Sequence, residues 1–525
     1  MEFVLRDYQE EASNKIVELF NSEKGGKELF VLPTGSGKSL IIADAVKNFG
    51  GPVLIIQPSK ELLVQNYRKF KSFGGEATIC CASLKEKTVD GEDYFEIEPG
   101  EWKKCREISE VTFATVGTVK KYIEELEYLK VNHVVIDETH IGSRKGSQLR
   151  KLINKLKIRH VAGLTATPLY LEGGMNGSRL IMMNRAQHTI FRKISYVSQI
   201  SEMVKRKFWS PLKYEIHDQD ESSLKLNSSG SDFTDNSMRT FYRDNDIETS
   251  IINEVNKQLK EGRKRILIFM PSIEDAENLH NLIPVKSGIV HSKMSMKERD
   301  ENVRMFGNGD IKIMINVNVL SVGYDNPLID SIITGRPTSS MEIYLQQIGR
   351  GVRIHPNKKD CKIVDFSGNV KRFGNIEEFH FEDLEGYGWG LFNGKNELLT
   401  DYPIQSKIRP TKETLIQAHE EKLALDGKEE FNDKITFYFG KFKGKTLGFV
   451  YKYHKDYLVW IADQENFNWY GQKGEALRNA IFKKLMLPIP QGHFEIDESW
   501  RDKKEEEEDN KLDKLLEKFN INRPF

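Results

Sequence analysis

Short apolar runs alternate with segments of helical periodicity through the first two thirds of the chain. Apolar runs bounded by Gly, Pro or charged residues predict buried strands, and apolar residues repeated at helical spacing predict helices. The predicted strands are Leu29–Leu32, Pro52–Gln57, Val111–Val116, His133–Ile136, Ala162–Pro168, Arg265–Met270 and Ile311–Val317. Because helices separate these strands, both groups predict parallel sheets with helices on each face. The predicted fold class is α/β, with two such domains in tandem.

Changes in composition divide the chain further. Residues 217–246 are rich in Asp, Ser and Asn, which is typical of a linker or mobile loop. The predicted organisation is a first domain at 1–215, a linker or mobile loop at 216–246, a second domain at 247–375, a connector at 376–430, a small basic and aromatic α+β module at 431–487 and a charged tail at 488–525.

Charge and cysteine content exclude some classes of protein. Lys plus Arg and Asp plus Glu both number 78, so any basic footprint for nucleic acid must be local. None of the four cysteines forms a Cys-x-x-Cys pair, so a zinc site is not expected. The cysteine content fits a protein of the reducing cytoplasm. No run of about 18 apolar residues is present and the N-terminus lacks a signal-peptide pattern, so no membrane contact is expected.

The turn after the first strand carries the clearest chemical signal. Its sequence is Thr34-Gly35-Ser36-Gly37-Lys38-Ser39, and a helical pattern follows. The backbone N–H groups of such a turn converge on phosphate oxygens, with Lys38 placed to reach the β- and γ-phosphates and the Ser39 hydroxyl placed to hold Mg²⁺. Leu32 stands where the first glycine of the usual motif would be. The pattern predicts a site for ATP and Mg²⁺; the alternative is a glycine turn with a chance lysine.

A second chemical signal lies where the strand at 133–136 ends. Asp137 and Glu138 follow this strand directly, at the edge of an open α/β sheet where ligands bind. Asp137 is placed to hold the metal through water, and Glu138 to orient or deprotonate the attacking water. The alternative is a strand that simply ends in an acidic turn.

Further side chains at both ends of this region are candidates for the same site. Arg6 and Gln9 precede the phosphate loop, and a Gln amide can pair with the N6 and N7 edge of adenine; the alternative for Gln9 is a surface residue at a helix start. Arg350 and Arg353 lie three residues apart, so on a helix they would share one face. Two guanidinium groups facing a phosphate loop would act as arginine fingers. The alternative is a solvated basic helix.

Taken together, these segments resemble the motifs of superfamily 2 helicases of the DEAD/DEAH-box type. The matching segments are residues 5–12 for adenine recognition, 33–39 for Walker A, 57–62 for motif Ia, 137–140 for Walker B with Thr139 in place of Ala, 165–167 for motif III, 319–325 for motif V and 346–353 for motif VI. The resemblance implies two RecA-like domains that close on ATP and Mg²⁺.

Within that superfamily the chain looks most like the RadD-like bacterial DNA-repair ATPases, which implies the cytoplasm of a bacterial or bacteriophage-infected cell. The resemblance also implies a catalytic Gln346 and nucleotide contacts by Gly323 and Asp325. It implies nucleic-acid contacts at Pro58, Ser59, Lys60, Thr115, Thr118 and Ser321. The chain departs from the RadD-like pattern at its C-terminus, where it lacks a cysteine-rich zinc region.

The C-terminal third contains lysines interleaved with aromatic residues. Residues 437–447 predict two short strands about a glycine turn, and the segment resembles a small module of exonuclease-X-like proteins. Lys441 and Lys443 are candidate contacts to single-stranded nucleic acid, since aromatic side chains can stack on bases. The alternative is that the aromatic residues form the core of a small domain. The module is also a candidate for docking a protein partner.

The predicted function is an ATP-dependent DNA helicase or translocase. Its predicted substrate is single-stranded, forked or branched DNA, in repair, recombination or remodelling. Three alternatives remain open on the sequence. They are an RNA helicase, the motor subunit of a restriction or defence complex whose nuclease lies on a partner, and a binding protein with an inactive ATP site.

Overall fold

Two parallel β-sheets, one in each predicted domain, form the centre of residues 1–405. The computed structural model describes residues 4–487 except for 83, 90–91, 99–100, 105–107, 142–146, 175–176, 187–188, 229, 320–323, 325, 385–386, 403–405, 407, 418–432, 465–468 and 470. The chain divides into two compact units, residues 1–405 and 406–525. The predicted fold class of tandem parallel-sheet α/β domains is confirmed for the first unit.

The first sheet places the candidate motifs on neighbouring strands. Its seven parallel strands lie in the order Lys193–Val197, Gly26–Val31, His160–Thr165, His133–Ile136, Val53–Gln57, Val111–Thr115 and Thr78–Cys80. The strand at 160–165 lies between the strand that precedes the phosphate loop and the strand that precedes Asp137. Since carboxyl ends of parallel strands share one edge of a sheet, all three segments meet there.

Helices cover both faces of this sheet. They span Asp7–Asn21, Lys38–Phe49, Lys60–Ser72, Val116–Val119, Ile123–Tyr128, Gln148–Lys155 and Ile200–Lys205, with a 3₁₀ turn at Thr139–Ile141. The strands are buried nearly throughout because both faces pack against helices. Two antiparallel additions extend this domain, a hairpin of Leu169–Gly174 with Gly177–Met182 and a three-stranded sheet of Lys85–Val89, Glu92–Glu98 and Glu101–Lys104.

The second sheet contains six parallel strands. Their order is Leu212–Ile216, Cys361–Asp365, Ser331–Thr334, Ile266–Phe269, Ile313–Asn316 and Ser287–Val290. The associated helices are Asp235–Asp244, Ile247–Lys260, Ile273–Leu282, Met296–Asn308, Met341–Ile348 and Asn369–Phe373, with a 3₁₀ turn at Ile376–Glu378. The predicted domain boundary at residue 215 falls inside the strand Leu212–Ile216, which pairs with Cys361–Asp365 and thus belongs to the second sheet.

The segment predicted as a linker or mobile loop contains ordered structure. The helix Asp235–Asp244 buries Phe241 and Tyr242 in the same apolar cluster as Ile251 of the next helix. Before it, the Asp232 carboxylate accepts a hydrogen bond from the Arg336 guanidinium at 3.0 Å. This part of the segment is therefore packed on the second domain, because its few apolar residues fall on one face of a helix.

Residues that follow the second domain in sequence make contacts with the first domain. The hairpin His380–Leu384 with Gly388–Phe392 begins within the predicted connector. The Gln199 side chain donates to the Phe381 carbonyl at 2.6 Å and accepts from the Phe381 N–H at 3.1 Å. The Arg185 guanidinium pairs with the Asp401 carboxylate at 2.8 Å. This hairpin therefore ties the end of the second domain to the first.

The second unit is mostly helical where the structure describes it. Its helices span Leu447–Tyr453, Lys455–Ala462 and Gly471–Lys484. The two predicted strands are reduced to one antiparallel bridge between Thr436 and Thr446, since a turn occupies the residues between them. The predicted tail at 488–525 lies outside the described residues. Across the described helices of both units, none is long and apolar enough to cross a membrane.

A buried carboxylate fixes the end of the second sheet. Asp365 is fully buried and accepts hydrogen bonds from Thr334 Oγ1, Ser367 N, Ser367 Oγ and Val370 N, at 2.6–2.8 Å. We expect Asp365→Ala to lower the free energy of unfolding by about 3 kcal/mol, because buried donors would be left without a charged acceptor.

Denaturant unfolding of the full chain measures this effect. Asp218→Ala is the control, since Asp218 is exposed and the substitution removes only its ion pair with Lys371. We expect the control to unfold like the parent. Equal destabilisation by the two variants would contradict the role of Asp365.

Candidate nucleotide site and nucleic-acid interface

A cavity of about 710 Å³ lies between the two domains of the first unit. The first domain contributes Arg6, Thr34, Gly35, Gly37, Lys38, Ser39, Leu62, Gln65, Asp137, Glu138, His140, Ala166, Thr167 and Phe208. The segments that belong to the second sheet contribute Pro327, Leu345, Gln346, Arg350, Arg353 and Ile354. Most of the predicted nucleotide-site residues are therefore brought together around one space.

The phosphate loop adopts the conformation that its glycines allow. Gly35 and Gly37 have φ angles of 78° and 83°, in the left-handed region that favours glycine. The helix begins at Lys38, which lines the cavity, and the first N–H groups of a helix have no partner within it. The Ser36 hydroxyl is buried with no hydrogen-bond partner among the described residues. The loop thus offers donors that a phosphate group could satisfy.

Gln9 supports the loop instead of lining the cavity. Its Nε2 donates to the Ser36 carbonyl at 2.7 Å, and its Oε1 accepts from the Arg6 N–H at 2.9 Å. The Tyr8 hydroxyl donates to the same Ser36 carbonyl at 2.7 Å. Both ends of the Gln9 amide are in use, so in this arrangement it positions the loop. Its predicted contact with adenine stays a prediction.

Lys38 and the two carboxylates form the polar centre of the site. Lys38 Nζ lies 3.0 Å from Glu138 Oε1. Asp137 accepts from Asn66 Nδ2 at 3.0 Å and from the Glu138 N–H at 3.0 Å. Burial, reinforced by the neighbouring Glu138 charge, raises the pKa of Asp137 to about 6. Burial opposes ionisation of Glu138 too, but Lys38, His140 and Arg350 outweigh it and hold its pKa below the ordinary value.

The backbone at Glu138 is itself unusual. Its φ angle is 44°, in the left-handed region that a residue with a Cβ rarely adopts. This conformation follows the end of the strand at Ile136 and turns the Glu138 carboxylate toward Lys38. Such backbone strain clusters at functional sites because the surrounding structure holds it in place.

His140 joins the two domains, a role that the sequence pattern did not indicate. It is buried, and its Nδ1 lies 2.8 Å from Thr165 Oγ1. The same nitrogen lies 3.6 Å from Glu138 Oε2. On the other side, His140 Nε2 lies 3.2 Å from Glu342 Oε1 of the second domain. The nearby Gln346 amide donates to Glu342 Oε1 at 3.4 Å, so a polar chain runs from Glu138 to the second domain.

The prediction that Arg350 and Arg353 share a helix face is wrong. The helix that begins at Met341 ends at Ile348, and both arginines follow it. They nevertheless converge, since their Nη1 atoms donate to the Tyr324 carbonyl at 2.8 Å and 3.2 Å.

Glycine at position 349 allows the two domains to approach each other. A Cβ atom at Gly349 would lie 2.6 Å from the Leu345 carbonyl and 3.1 Å from Thr34 Cβ of the phosphate loop. Glycine therefore lets the start of the arginine segment lie against the loop. The spacing of the two arginines indicated that they act together, but the turn that follows Ile348 was not readable from spacing.

Two aromatic residues just before the second sheet were also missed. Phe208 lines the cavity beside Arg6, whose guanidinium lies 4.0 Å from the Phe208 ring centroid. The Trp209 indole N–H donates to the Thr34 carbonyl at 3.0 Å. No local motif signals these positions, because they meet the phosphate loop only through the tertiary fold.

The predicted nucleic-acid contacts lie partly on one edge of the first sheet. Gln57 pairs with Thr115 on adjacent strands, so the Pro58–Lys60 segment and the Thr115–Thr118 turn begin side by side. Ser59 Oγ accepts from the Leu62 N–H at 3.3 Å and caps the helix. Thr118 Oγ1 accepts from the Ala82 N–H at 2.9 Å.

The other predicted contacts belong to the second unit or lie outside the described residues. Lys441 and Lys443 are exposed and lie in the second unit. Ser321, Gly323 and Asp325 lie outside the described residues.

ATP and Mg²⁺ fit the residues around the cavity. Lys38, Arg350 and Arg353 supply positive charge, and the glycine turn leaves room for a close backbone approach. Ser39 and Asp137 are the candidate residues for Mg²⁺, which prefers oxygen ligands and keeps several waters. Asp137 and the phosphate loop both follow the carboxyl ends of strands that pair with His160–Thr165, so they lie at the same edge of the sheet.

Comparisons with known proteins agree with this geometry. The family of the type III restriction enzyme res subunit (ResIII) matches residues 2–169, and the helicase conserved C-terminal domain matches residues 249–355. The structure of a fragment of a putative HsdR subunit of a type I restriction enzyme from Vibrio vulnificus YJ016 superposes with a TM-score of 0.51 at 17% identity. That likeness covers 74% of this chain and 68% of the other, and it supports the fold.

Two curated relatives extend the picture. The putative ATP-dependent helicase IRC3 of Saccharomyces cerevisiae is 27% identical over 380 residues, which cover 70% of this chain and 52% of that protein. A 51.5 kDa protein of a Lactococcus phage (isolate 7-9) is 25% identical over 424 residues, covering 77% of this chain and 81% of that protein. The chain thus spans about half the length of the yeast relative.

The chain contains, in this order and on two parallel sheets, the two domain matches that are found together in superfamily 2 helicases. It is related to helicases of the restriction-enzyme type and of the DEAD-box type. The finer resemblances to RadD-like and exonuclease-X-like proteins stay predictions.

The pair of His140 and Glu342 leads to a specific expectation. Glu342→Gln removes a charged partner that is shared by the two domains. We expect the turnover of ATP to fall about fivefold, because a partly exposed polar contact across the domain boundary contributes about 1 kcal/mol. The KM for ATP should change little, because Glu342 belongs to the contact between the domains.

Steady-state kinetics of Glu342→Gln and of Glu301→Gln separate this role from a general effect of removing charge. Glu301 is an exposed carboxylate of the second domain and serves as the matched control. Parent-like turnover in both variants would show that the His140–Glu342 contact does not assist closure.

Proposed function

We propose that the chain is a nucleic-acid-stimulated ATPase that moves on DNA as a helicase or translocase. The observation that carries this proposal is one cavity that needs both domains. Lys38, Asp137 and Glu138 line it from one side, and Arg350 and Arg353 from the other. A site divided in this way can couple ATP hydrolysis to the relative motion of two domains.

The proposed roles follow from chemistry and position. Lys38 and the loop N–H groups would hold the phosphates, and Ser39 and Asp137 would hold Mg²⁺, which would supply positive charge to offset that of the phosphates. Glu138 orients water and accepts its proton. Its lowered pKa keeps it ionised for this task. Arg350 and Arg353 leave the Tyr324 carbonyl and meet the developing charge when the domains close.

The proposed path of the nucleic acid crosses the carboxyl edge of the first sheet. Residues 58–60 and 115–118 begin side by side at that edge. Backbone N–H groups at helix starts suit phosphate contacts that are independent of base sequence. Alternation of affinity with the nucleotide state would then move the chain along the strand.

DNA repair, recombination or remodelling of branched DNA is the proposed task. The match to the ResIII family and the fold likeness to the HsdR fragment favour a second candidate, the motor of a restriction or defence complex. Because relatives of the DEAD-box type include an ATP-dependent RNA helicase, RNA is the alternative substrate for the same motor.

ATP hydrolysis measured side by side with five polymers tests these candidates. The polymers are single-stranded, duplex, forked and four-way DNA, and RNA of the same sequence. The proposal expects the largest stimulation, at the lowest polymer concentration, with forked or four-way DNA. Stimulation by plain duplex alone would favour the restriction-type motor, and stimulation by RNA alone would overturn a DNA substrate.

A further inference from the structure

The second unit divides its aromatic residues into two sets. Phe437, Phe442 and Tyr457 are buried, and the Phe442 and Tyr457 rings pack edge to face with centroids 4.7 Å apart. In contrast, Tyr453 is 60% exposed and Trp460 is 40% exposed. The sequence left open whether these aromatics form a core or a binding surface. In the structure, one set of aromatic residues is buried in the core of the unit and a different set is exposed.

The exposed set lies on two consecutive helices. Phe449 and Tyr453 lie one turn apart on the helix Leu447–Tyr453, with ring centroids 5.1 Å apart. Phe449 is 38% exposed. Trp460 lies on the next helix and stacks on Tyr457 at 5.7 Å. We refer to Phe449, Tyr453 and Trp460 as the aromatic surface.

Lysines accompany the aromatic surface and outnumber the carboxylates in the same stretch of sequence. Residues 434–460 contain six lysines and one carboxylate, Asp456. Lys445 Nζ lies 5.3 Å from the Phe449 ring centroid, and Lys452 Nζ lies 5.2 Å from that of Tyr453. Lys441 and Lys443 are exposed on either side of the buried Phe442. Positive charge therefore borders exposed ring faces.

We propose that the aromatic surface and its lysines bind single-stranded nucleic acid independently of the ATP site. Flat rings stack on unpaired bases of any sequence, and lysines contact the phosphates between them. A protein groove built for an apolar helix would not need this excess of positive charge, and an acidic partner would not need several exposed rings. The chemistry of both features together fits a strand with unpaired bases. As a second binding site on the same chain, the surface would slow dissociation of the protein from nucleic acid.

Binding of the full chain to a labelled oligo-dT strand, without nucleotide, tests this proposal. Fluorescence anisotropy is measured from low to moderate salt. Phe449→Ala with Tyr453→Ala removes two stacking rings, and we expect at least about fivefold weaker binding, since stacking contributes about 1–3 kcal/mol per base. Phe449→Tyr with Tyr453→Phe keeps both rings and is the matched control, with parent-like affinity expected.

The lysines have a different signature. Replacing Lys441, Lys443 and Lys445 by Gln should flatten the slope of log affinity against log salt, by about 0.7 for each lysine that touches a phosphate of a single strand. The same three positions changed to Arg should keep the slope. Thermal unfolding checks that each variant is folded.

The outcomes separate this proposal from the motor function. Unchanged affinity in the Ala pair, or an unchanged salt slope in the Gln triple, would overturn the nucleic-acid role of this surface. Protein docking would then explain it better. A full chain that binds no oligonucleotide and shows no polymer-stimulated hydrolysis would overturn the proposed function itself.

Discussion

Glu138→Gln should bind ATP with nearly parental affinity and hydrolyse it at least about a hundredfold more slowly, since general base catalysis contributes about 10²–10⁴ in rate. The Glu138 carboxylate lies 3.0 Å from Lys38 Nζ and lines the cavity. A carboxamide keeps the size of the side chain and can still accept a hydrogen bond from Lys38. It cannot accept the proton of the attacking water.

The measurement pairs single-turnover hydrolysis with binding of a fluorescent ATP analogue. Glu127→Gln is the matched control, an exposed carboxylate of the first domain that does not line the cavity. It should behave like the parent in both assays. Hydrolysis by Glu138→Gln at the parent rate would mean that another group activates water.

Arg350→Ala should reduce turnover by about a thousandfold or more while changing ATP affinity little, as an arginine finger contributes about 10³–10⁵ in rate. Arg350 is 6% exposed, and it donates to the Tyr324 carbonyl at 2.8 Å. It belongs to the second domain, so it meets the phosphates only through closure. Removal of this group should therefore affect the transition state far more than the bound ground state.

Arg350→Lys tests whether charge alone suffices, and it should remain strongly impaired because a lysine lacks the planar fork of donors. Arg304→Ala, at an exposed position of the second domain, is the control. A large drop in ATP affinity with parental turnover at saturation would assign Arg350 to ground-state binding instead.

The phosphate loop and the acidic pair could be predicted because each is a local pattern. Gly35, Gly37 and Lys38 lie within four residues, and the chain geometry of a strand, a turn and a helix follows from them. Asp137 and Glu138 follow a buried apolar strand, and the carboxyl edge of a parallel sheet gathers such residues. These positions needed no knowledge of distant parts of the chain.

Contacts made across the fold could not be predicted in the same way. The hydrogen bond from the Gln9 amide to the Ser36 carbonyl spans 27 positions of the chain and was not indicated by the local motif, while the contact of Gln9 with adenine stays a prediction. Glu342 and Phe208 belong to no motif, yet they reach His140 and Arg6 of the first domain. The close approach of Gly349 to Thr34 of the phosphate loop also depends on the tertiary fold.

The central claim is that one ATP site is completed by two domains. The distance between the two domains, measured with and without ligands, tests this claim most directly. Spin labels at Asn48→Cys and Glu301→Cys, both exposed and one in each domain, report the distance between the domains by pulsed electron paramagnetic resonance. The native cysteines at 80, 81 and 361 are buried, and Cys105 would be replaced by Ser.

The Glu138→Gln background allows ATP to remain bound during this measurement. The account predicts a broad distance distribution without ligands and a single narrow one when both ATP and single-stranded DNA are present. Arg350→Ala in the same background should broaden that distribution again. Distances that stay the same under all of these conditions would contradict a site that closes between the two domains.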